Sequence, residues 1–270
     1  MKLFNVFQKK EQKSSLDSGL IEIRCFFKPK SIDIPDLVRY IKSSGDFIPV
    51  SMEIAGKEHL LNEEVLNTLE KNDKEARGLL LSDMIDLKNE AGDAIVCLYE
   101  FSTKDSMQVI SWKTNNPEMT NNPAFLDLIS RDSFISGYAY NHEDSRVQNS
   151  NSIFFYKSRN LQPPATRKNE FGNIEVIIDK NPGKDRVLSL TWVISSWKMW
   201  FGKPFYAIVS MEKLLQFANA KILKQQEQEI VFIQLYDNPQ EYNLAENRKK
   251  QKEFNDFIQV DELTKIFPPY

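Results

Sequence analysis

Residues 174–194, IEVIIDKNPGKDRVLSLTWVI, constrain the fold most. Apolar and polar residues alternate on both sides of a Pro–Gly pair, the pattern of two strands that each bury one face. Pro182–Gly183 suits the central positions of a type II turn, where glycine tolerates the positive φ. The pattern predicts antiparallel strands near 174–179 and 186–194, with Leu188, Leu190, Trp192 and Ile194 facing a core. Further β-like runs are LIEIRCFF, FIPVSMEI, AIVCLYEF, MQVISW, FISGYAY, IFFY, PFYAIV and EIVFIQLY.

Helices are predicted between these runs. Ile34, Leu37, Val38 and Ile41 share one helical face, with Pro35 in the first turn and Gly45 at the stop. Residues 62–90 read as helical, capped by Asn62 and broken near Asn72–Asp73. Asn122–Pro123 opens another helix, Ser210 caps SMEKLLQFA, and Asn238–Pro239 with Glu241 starts one that runs to about Phe254. Strands and helices mix without strict βαβ alternation. The fold class is therefore α+β, with mixed, mainly antiparallel sheets and flanking helices. The polar start over 1–18 reads as a mobile leader, and an Asn/Pro-rich stretch separates two halves, 19–115 and 123–270.

Trp192, Trp197 and Trp200 crowd the stretch after the hairpin. A β-bulge at Ser195–Ser196 shifts the apolar face from Trp192 and Ile194 to Trp197, Met199 and Phe201. A single helical turn capped by Ser196 is the other reading. Trp192 reads as core in both. Trp200 leaves the apolar face in the strand reading, which makes it the candidate for a partner-facing aromatic.

Chemistry is thinly signalled. Gly is scarce, at 9 of 270 residues, which argues against glycine-rich phosphate loops. No nucleophile elbow, P-loop, zincin or dinucleotide fingerprint occurs. Cys25 and Cys97 sit in apolar runs and read as buried thiols. Two Cys and two His without ligand spacing predict no metal, and no cofactor is implied. His59 reads as an ordinary loop residue. The segment YNHEDSRVQN gathers His142, Glu143, Asp144, Arg146 and Gln148. Such a set could carry acid–base work or hold a hard cation, or it could be a solvated turn with local ion pairs. No apolar run is long enough for a membrane span, and the start lacks a secretory signal, so the expected address is the cytoplasm.

Charge is uneven beneath a net of −3. Residues 46–105 hold 14 acids and 6 bases, a net of −8, whereas 151–204 hold 9 bases and 4 acids, a net of +5. The basic part lacks the interleaved aromatic–basic motifs of nucleic-acid modules, so nucleic acid is not expected as a ligand. The acidic part would attract a basic protein. Glu63, Glu64, Glu70, Asp73 and Glu75 form its centre, and Trp200 is the aromatic addition.

One resemblance bears on the partner. The run IEVIIDKNPGKDRVLSLTWVISSWKMWFGKPFY, with FISGYAYNHEDSRVQN upstream, carries an I-D-x-N-P-G hairpin, an M-W-F-G segment and a Q-N pair after Y-x-x-x-D. Over the second half of the chain this resembles bacterial candidate immunity proteins found beside secreted toxins. The resemblance implies a cytoplasmic binder that occludes a cognate toxin, possessing no catalysis of its own. An enzyme using His142, Glu143 and Asp144, and a scaffolding interaction protein, are the alternatives.

Overall fold

The computed structural model describes residues 19–33, 35, 37–39, 50–54, 57–71, 78–82, 94–100 and 107–269. The expected leader over 1–18 and the parts of the predicted helices at 40–45 and 83–90 lie outside the described residues.

The frame is a ten-stranded sheet in which every neighbouring pair is antiparallel. In chain order its strands are β1 (Ile21–Phe27), β2 (Ser51–Ile54), β3 (Lys57–Leu60), β4 (Gly78–Ser82), β5 (Ala94–Glu100), β6 (Gln108–Thr114) and β7 (Phe134–Asn141). Two short sheets intervene, β8 (Thr166–Lys168) with β9 (Ile174–Val176), and β10 (Arg186–Val187) with β11 (Trp192–Val193). The large sheet then gains β12 (Lys198–Phe201), β13 (Ile222–Gln225) and β14 (Val231–Gln234), in the order β13-β14-β12-β7-β1-β6-β5-β4-β2-β3. With helices packed around it, the fold is α+β. β1 lies between β6 and β7, so the sheet runs unbroken across the stretch that separates the two sequence halves.

Capping signals placed several helices correctly. Asn62 Oδ1 accepts the Val65 N–H (2.9 Å) at the start of α1 (Glu63–Lys71). Asn122 Oδ1 accepts the Ala124 N–H (2.7 Å) at α2 (Pro123–Ile129). The polar centre after β7 is neither a turn nor loose: Asn141 Oδ1 accepts the Asp144 N–H (3.0 Å) and opens α3 (His142–Asn149).

Other expectations are corrected. Residues 78–82, GLLLS, form β4 rather than continuing a helix, because an unbroken apolar run carries no period to tell the two apart. IFFYKS is α4 (Ile153–Ser158), not a strand: Ser152 caps it, and Tyr156 is buried with its hydroxyl on the Val147 carbonyl (2.7 Å). PFYAIV contributes to a 3₁₀ turn, Lys203–Ala207, that Pro204 starts. Asn238 caps only a 3₁₀ turn, Pro239–Glu241, after Ser210 has capped α5 (Met211–Leu214). The long helix is α6 (Ala245–Ile258), and α7 (Val260–Ile266) follows Gln259, which takes φ 61°. His59 lies on β3, not in a loop.

The predicted hairpin across KNPGK does not form. β9 pairs back with β8, and the Arg186 strand pairs with Trp192–Val193 through a turn in which the Leu188 N–H donates to the Thr191 carbonyl (2.8 Å). Leu188 and Ile194 are buried as expected, but Leu190 is 40% exposed and Trp192 only half-buried. Alternation identified extended chain here and assigned it the wrong partner. The Pro182–Gly183 turn is closed by the Lys184 N–H on the Asn181 carbonyl (3.2 Å), yet Gly183 does not take the positive φ of a type II turn. Glycine is favoured there for another reason: a Cβ would lie 2.9 Å from Gln148 Cγ and displace that side chain.

Candidate functional site

Strand alternation sorts the central residues onto two faces. The register pairs Glu22 with Tyr140, Arg24 with Tyr138 and Phe26 with Ser136, so these share one face. Ile23, Cys25, Ala139, Trp112 and Trp200 lie on the other.

The first face carries charge into the interior. Arg24 donates to Glu22 Oε1 (2.6 Å from Nη2) and to Asp185 Oδ2 (3.1 Å). Its guanidinium also lies over the rings of Tyr140 and Trp192, at 5.6 and 5.0 Å from the centroids. Glu22 Oε2 meets His142 Nδ1 at 2.9 Å. Burial alone would raise the Glu22 pKa, but the His142 hydrogen bond and the Arg24 charge outweigh it and hold the carboxyl at about 2. Burial dominates at Asp185 and pushes its pKa up despite Arg24.

The five polar residues of α3 therefore do not converge on one point; they fan out. His142 reaches β1. Glu143 takes Arg159 at the end of α4 (2.5 Å) and Arg146 on its own helix (3.7 Å). Asp144 is buried and takes Arg248 of α6 through both oxygens, at 2.5 and 3.0 Å. Burial raises the Asp144 pKa against the pull of Arg248. Gln148 Oε1 accepts the Gly183 N–H (3.0 Å), and its carbonyl accepts from Asn181 Nδ2 (3.0 Å). Successive helix positions are rotated by about 100°, so neighbouring side chains point in different directions. About two turns of helix thus latch four separate parts of the chain.

Two of the three motifs quoted for the resemblance, the Q-N pair and the N-P-G loop, meet at this latch. Asn149 Oδ1 accepts the Asp185 N–H (2.8 Å), its Nδ2 donates to Asp185 Oδ1 (3.1 Å), and Asn255 of α6 donates to the Pro182 carbonyl (2.8 Å). The Q-N pair and the N-P-G loop are two sides of one joint.

The second face is aromatic. Trp200 is 1% exposed, with Phe125 of α2 at 5.0 Å and Phe232 of β14 at 5.3 Å between ring centroids. This corrects its expected place on a partner-facing surface: β12 is a strand covered on both faces, and Trp200 is core. Cys25 is also fully buried; the Cys97 side chain lies outside the described residues.

Of the acidic set, Glu63 and Glu64 are exposed in the first turn of α1, whose Leu66 is fully buried. Glu63 approaches Arg39 at 3.5 Å. Glu70 lies on α1 with its side chain outside the described residues, as are Asp73 and Glu75 entirely. Sequence reading missed Glu22, Arg24, Asp185 and Arg248. The available signal was Glu22 and Arg24 at alternate positions inside an otherwise apolar strand. It also missed the exposed aromatics Phe154 and Phe171, 77% and 79% exposed.

Among the described residues, no helix is long and apolar enough to cross a membrane. Neither a protein-family profile nor a curated protein matches the chain.

Proposed function

We propose that the chain acts by binding another protein, as an immunity protein that covers a basic toxin through its acidic surface. One observation carries this reading: Glu63 and Glu64 point outward from a helix anchored by the buried Leu66. Acids held on a packed element present a fixed field to an incoming partner, and such fields raise association rates. Occlusion needs no chemistry from this chain. The fan of contacts around α3 supports the same reading, since His142, Glu143 and Asp144 are each engaged by a different cation or carboxylate rather than aimed at a common substrate position.

The test starts from the protein that co-purifies with the chain from its native host. Association is then measured by stopped flow for wild type and for a variant with Glu63, Glu64, Glu70, Asp73 and Glu75 changed to Lys. The variant is expected to associate at least about tenfold more slowly at low salt, with the gap closing as salt screens exposed charges beyond about 8–10 Å. Equal rates at low salt would remove the acidic helix from the mechanism.

A further inference from the structure

A second exposed surface has the opposite character. α4 and the β8–β9 hairpin form one unit: Ser152 bridges Glu175, and the Val176 N–H donates to the Asn151 carbonyl (2.8 Å). This unit leaves Phe154 77%, Phe171 79% and Ile174 55% exposed. Scattered apolar side chains are normal on any surface, but three large ones on one small unit are not scattered.

Phe171 is displayed by a built loop. Asn169 Oδ1 accepts the N–H groups of both Phe171 (3.1 Å) and Asn173 (2.9 Å), and Gly172 takes φ 77° to turn the chain. An aromatic held this way loses little conformational freedom on binding, which favours it as an anchor.

Charge defines the partner. Residues 151–176 carry four cations, Lys157, Arg159, Arg167 and Lys168, against two acids. Arg167 is taken by Glu175 (2.6 Å) and Arg159 by Glu143 of α3 (2.5 Å), which leaves Lys157 and Lys168 against Glu170. Lys157, one turn after Phe154 on α4, and Lys168, at the end of β8 three positions before Phe171, are both exposed. β8 is only three residues long and wholly exposed, with two cations, which makes it a poor template for strand addition. Side chains rather than backbone must carry the docking.

We infer that this unit is a docking surface for an acidic polypeptide, which seats apolar side chains against Phe154 and Phe171 and sets carboxylates against Lys157 and Lys168. The inference is independent of the partner that α1 receives, because charge, elements and residues all differ.

The test uses the isotope-labelled full chain and a synthetic peptide of glutamates around a central Leu–Phe pair, with a lysine-for-glutamate counterpart as control. The acidic peptide is expected to shift amide resonances of α4 and the hairpin and the control to leave them unmoved. Phe154→Ser with Phe171→Ser, and separately Lys157→Glu with Lys168→Glu, are each expected to weaken the acidic peptide about tenfold or more. All four side chains are exposed, so unchanged thermal unfolding should accompany both variants. Equal binding of the two peptides, or no shifts in this unit, would overturn the inference. Binding to phosphatidylserine vesicles without binding to the peptide would also overturn it and assign the surface to lipid.

Discussion

The two faces of the central strands are alike in their rings, Phe26, Tyr138 and Phe201 on one and Trp112 and Trp200 on the other, but the first adds a chain of buried ion pairs. On the second, Trp112, Phe125, Trp200 and Phe232 pack ring against ring. On the first, Glu22, Arg24 and Asp185 form a chain of buried charge beneath the loop that runs from Asn181 to Trp192. Aromatic packing is tolerant of what it touches, so it supplies stability without choosing a partner segment. A buried carboxylate accepts only a matched donor, so the charged face selects which loop docks and in what register. The charged face thereby adds the choice of partner segment to the ring packing that both faces share.

The largest effects should come from removing one member of either set. Trp200→Ala is expected to cost about 3–5 kcal/mol by chemical denaturation, the usual loss for a buried large aromatic. Arg24→Met should cost a similar 3–5 kcal/mol, because Glu22 and Asp185 are then left buried without their cation. What separates the faces is collective replacement. Glu22→Leu, Arg24→Met and Asp185→Leu together should recover most of the Arg24→Met loss, since no orphaned charge remains. A triple variant as unstable as the single one would show that the charges stabilise as well as specify.

Acid should act on the charged face at intermediate strength. Glu22 titrates at about 2 in the folded chain, below the ordinary 4.5. A depressed carboxyl contributes stability that is complete above its unfolded value and is lost as pH falls from about 4.5 through 2. Asp185 is displaced upward by burial and has the opposite sign, so its protonation relieves a cost rather than adding one. The Glu22 contribution to unfolding free energy should therefore hold down to about pH 4.5 and then fall, while Asp185 and Asp144, both raised by burial, add stability as they take up protons over the acidic range. Glu22→Gln should flatten that fall; an unchanged slope would mean that the acid response arises elsewhere.

The sequence made local structure legible where a signal and its effect lie within a few residues. Asn62, Asn122 and Ser210 cap helices because a side-chain oxygen meets an N–H two or three positions on. β1, β6 and β7 are apolar runs with no helical rival. Pairing was not legible, because alternation states which side chains share a face and not which strand lies alongside. The site was half legible for the same reason. His142, Asp144 and Gln148 stood out as a polar group between apolar runs, but the partner of Arg24 lies 161 positions away and that of Asp144 lies 104 positions away.

Gly183→Ala tests the joint between α3 and the N-P-G loop at modest cost. The added methyl would press on Gln148 Cγ at 2.9 Å, an unbranched side chain able to shift, at the expense of its bond to the Gly183 N–H. A loss of about 1–2 kcal/mol is expected. Because no positive φ is involved, Gln148→Ala in the same chain should make Gly183→Ala nearly neutral. A penalty that persisted in the double variant would point to backbone strain instead.

The smallest effect, that of truncating Leu190, discriminates best between the pattern in the sequence and the observed pairing when set beside Leu188. Strict alternation places Leu188 and Leu190 on one buried face, so both truncations should cost alike. The structure places Leu188 at 1% exposure and Leu190 at 40%, at the turn between β10 and β11. Leu188→Ala should then cost about 2–5 kcal/mol, as core leucines do, and Leu190→Ala no more than about 0.5 kcal/mol. The ratio matters more than either value. Equal losses would mean that residues 186–194 run as one continuous strand with Leu190 inward. That arrangement would pull Thr191 away from its 2.8 Å contact with Ser136 and break the fit of this loop over the charged face.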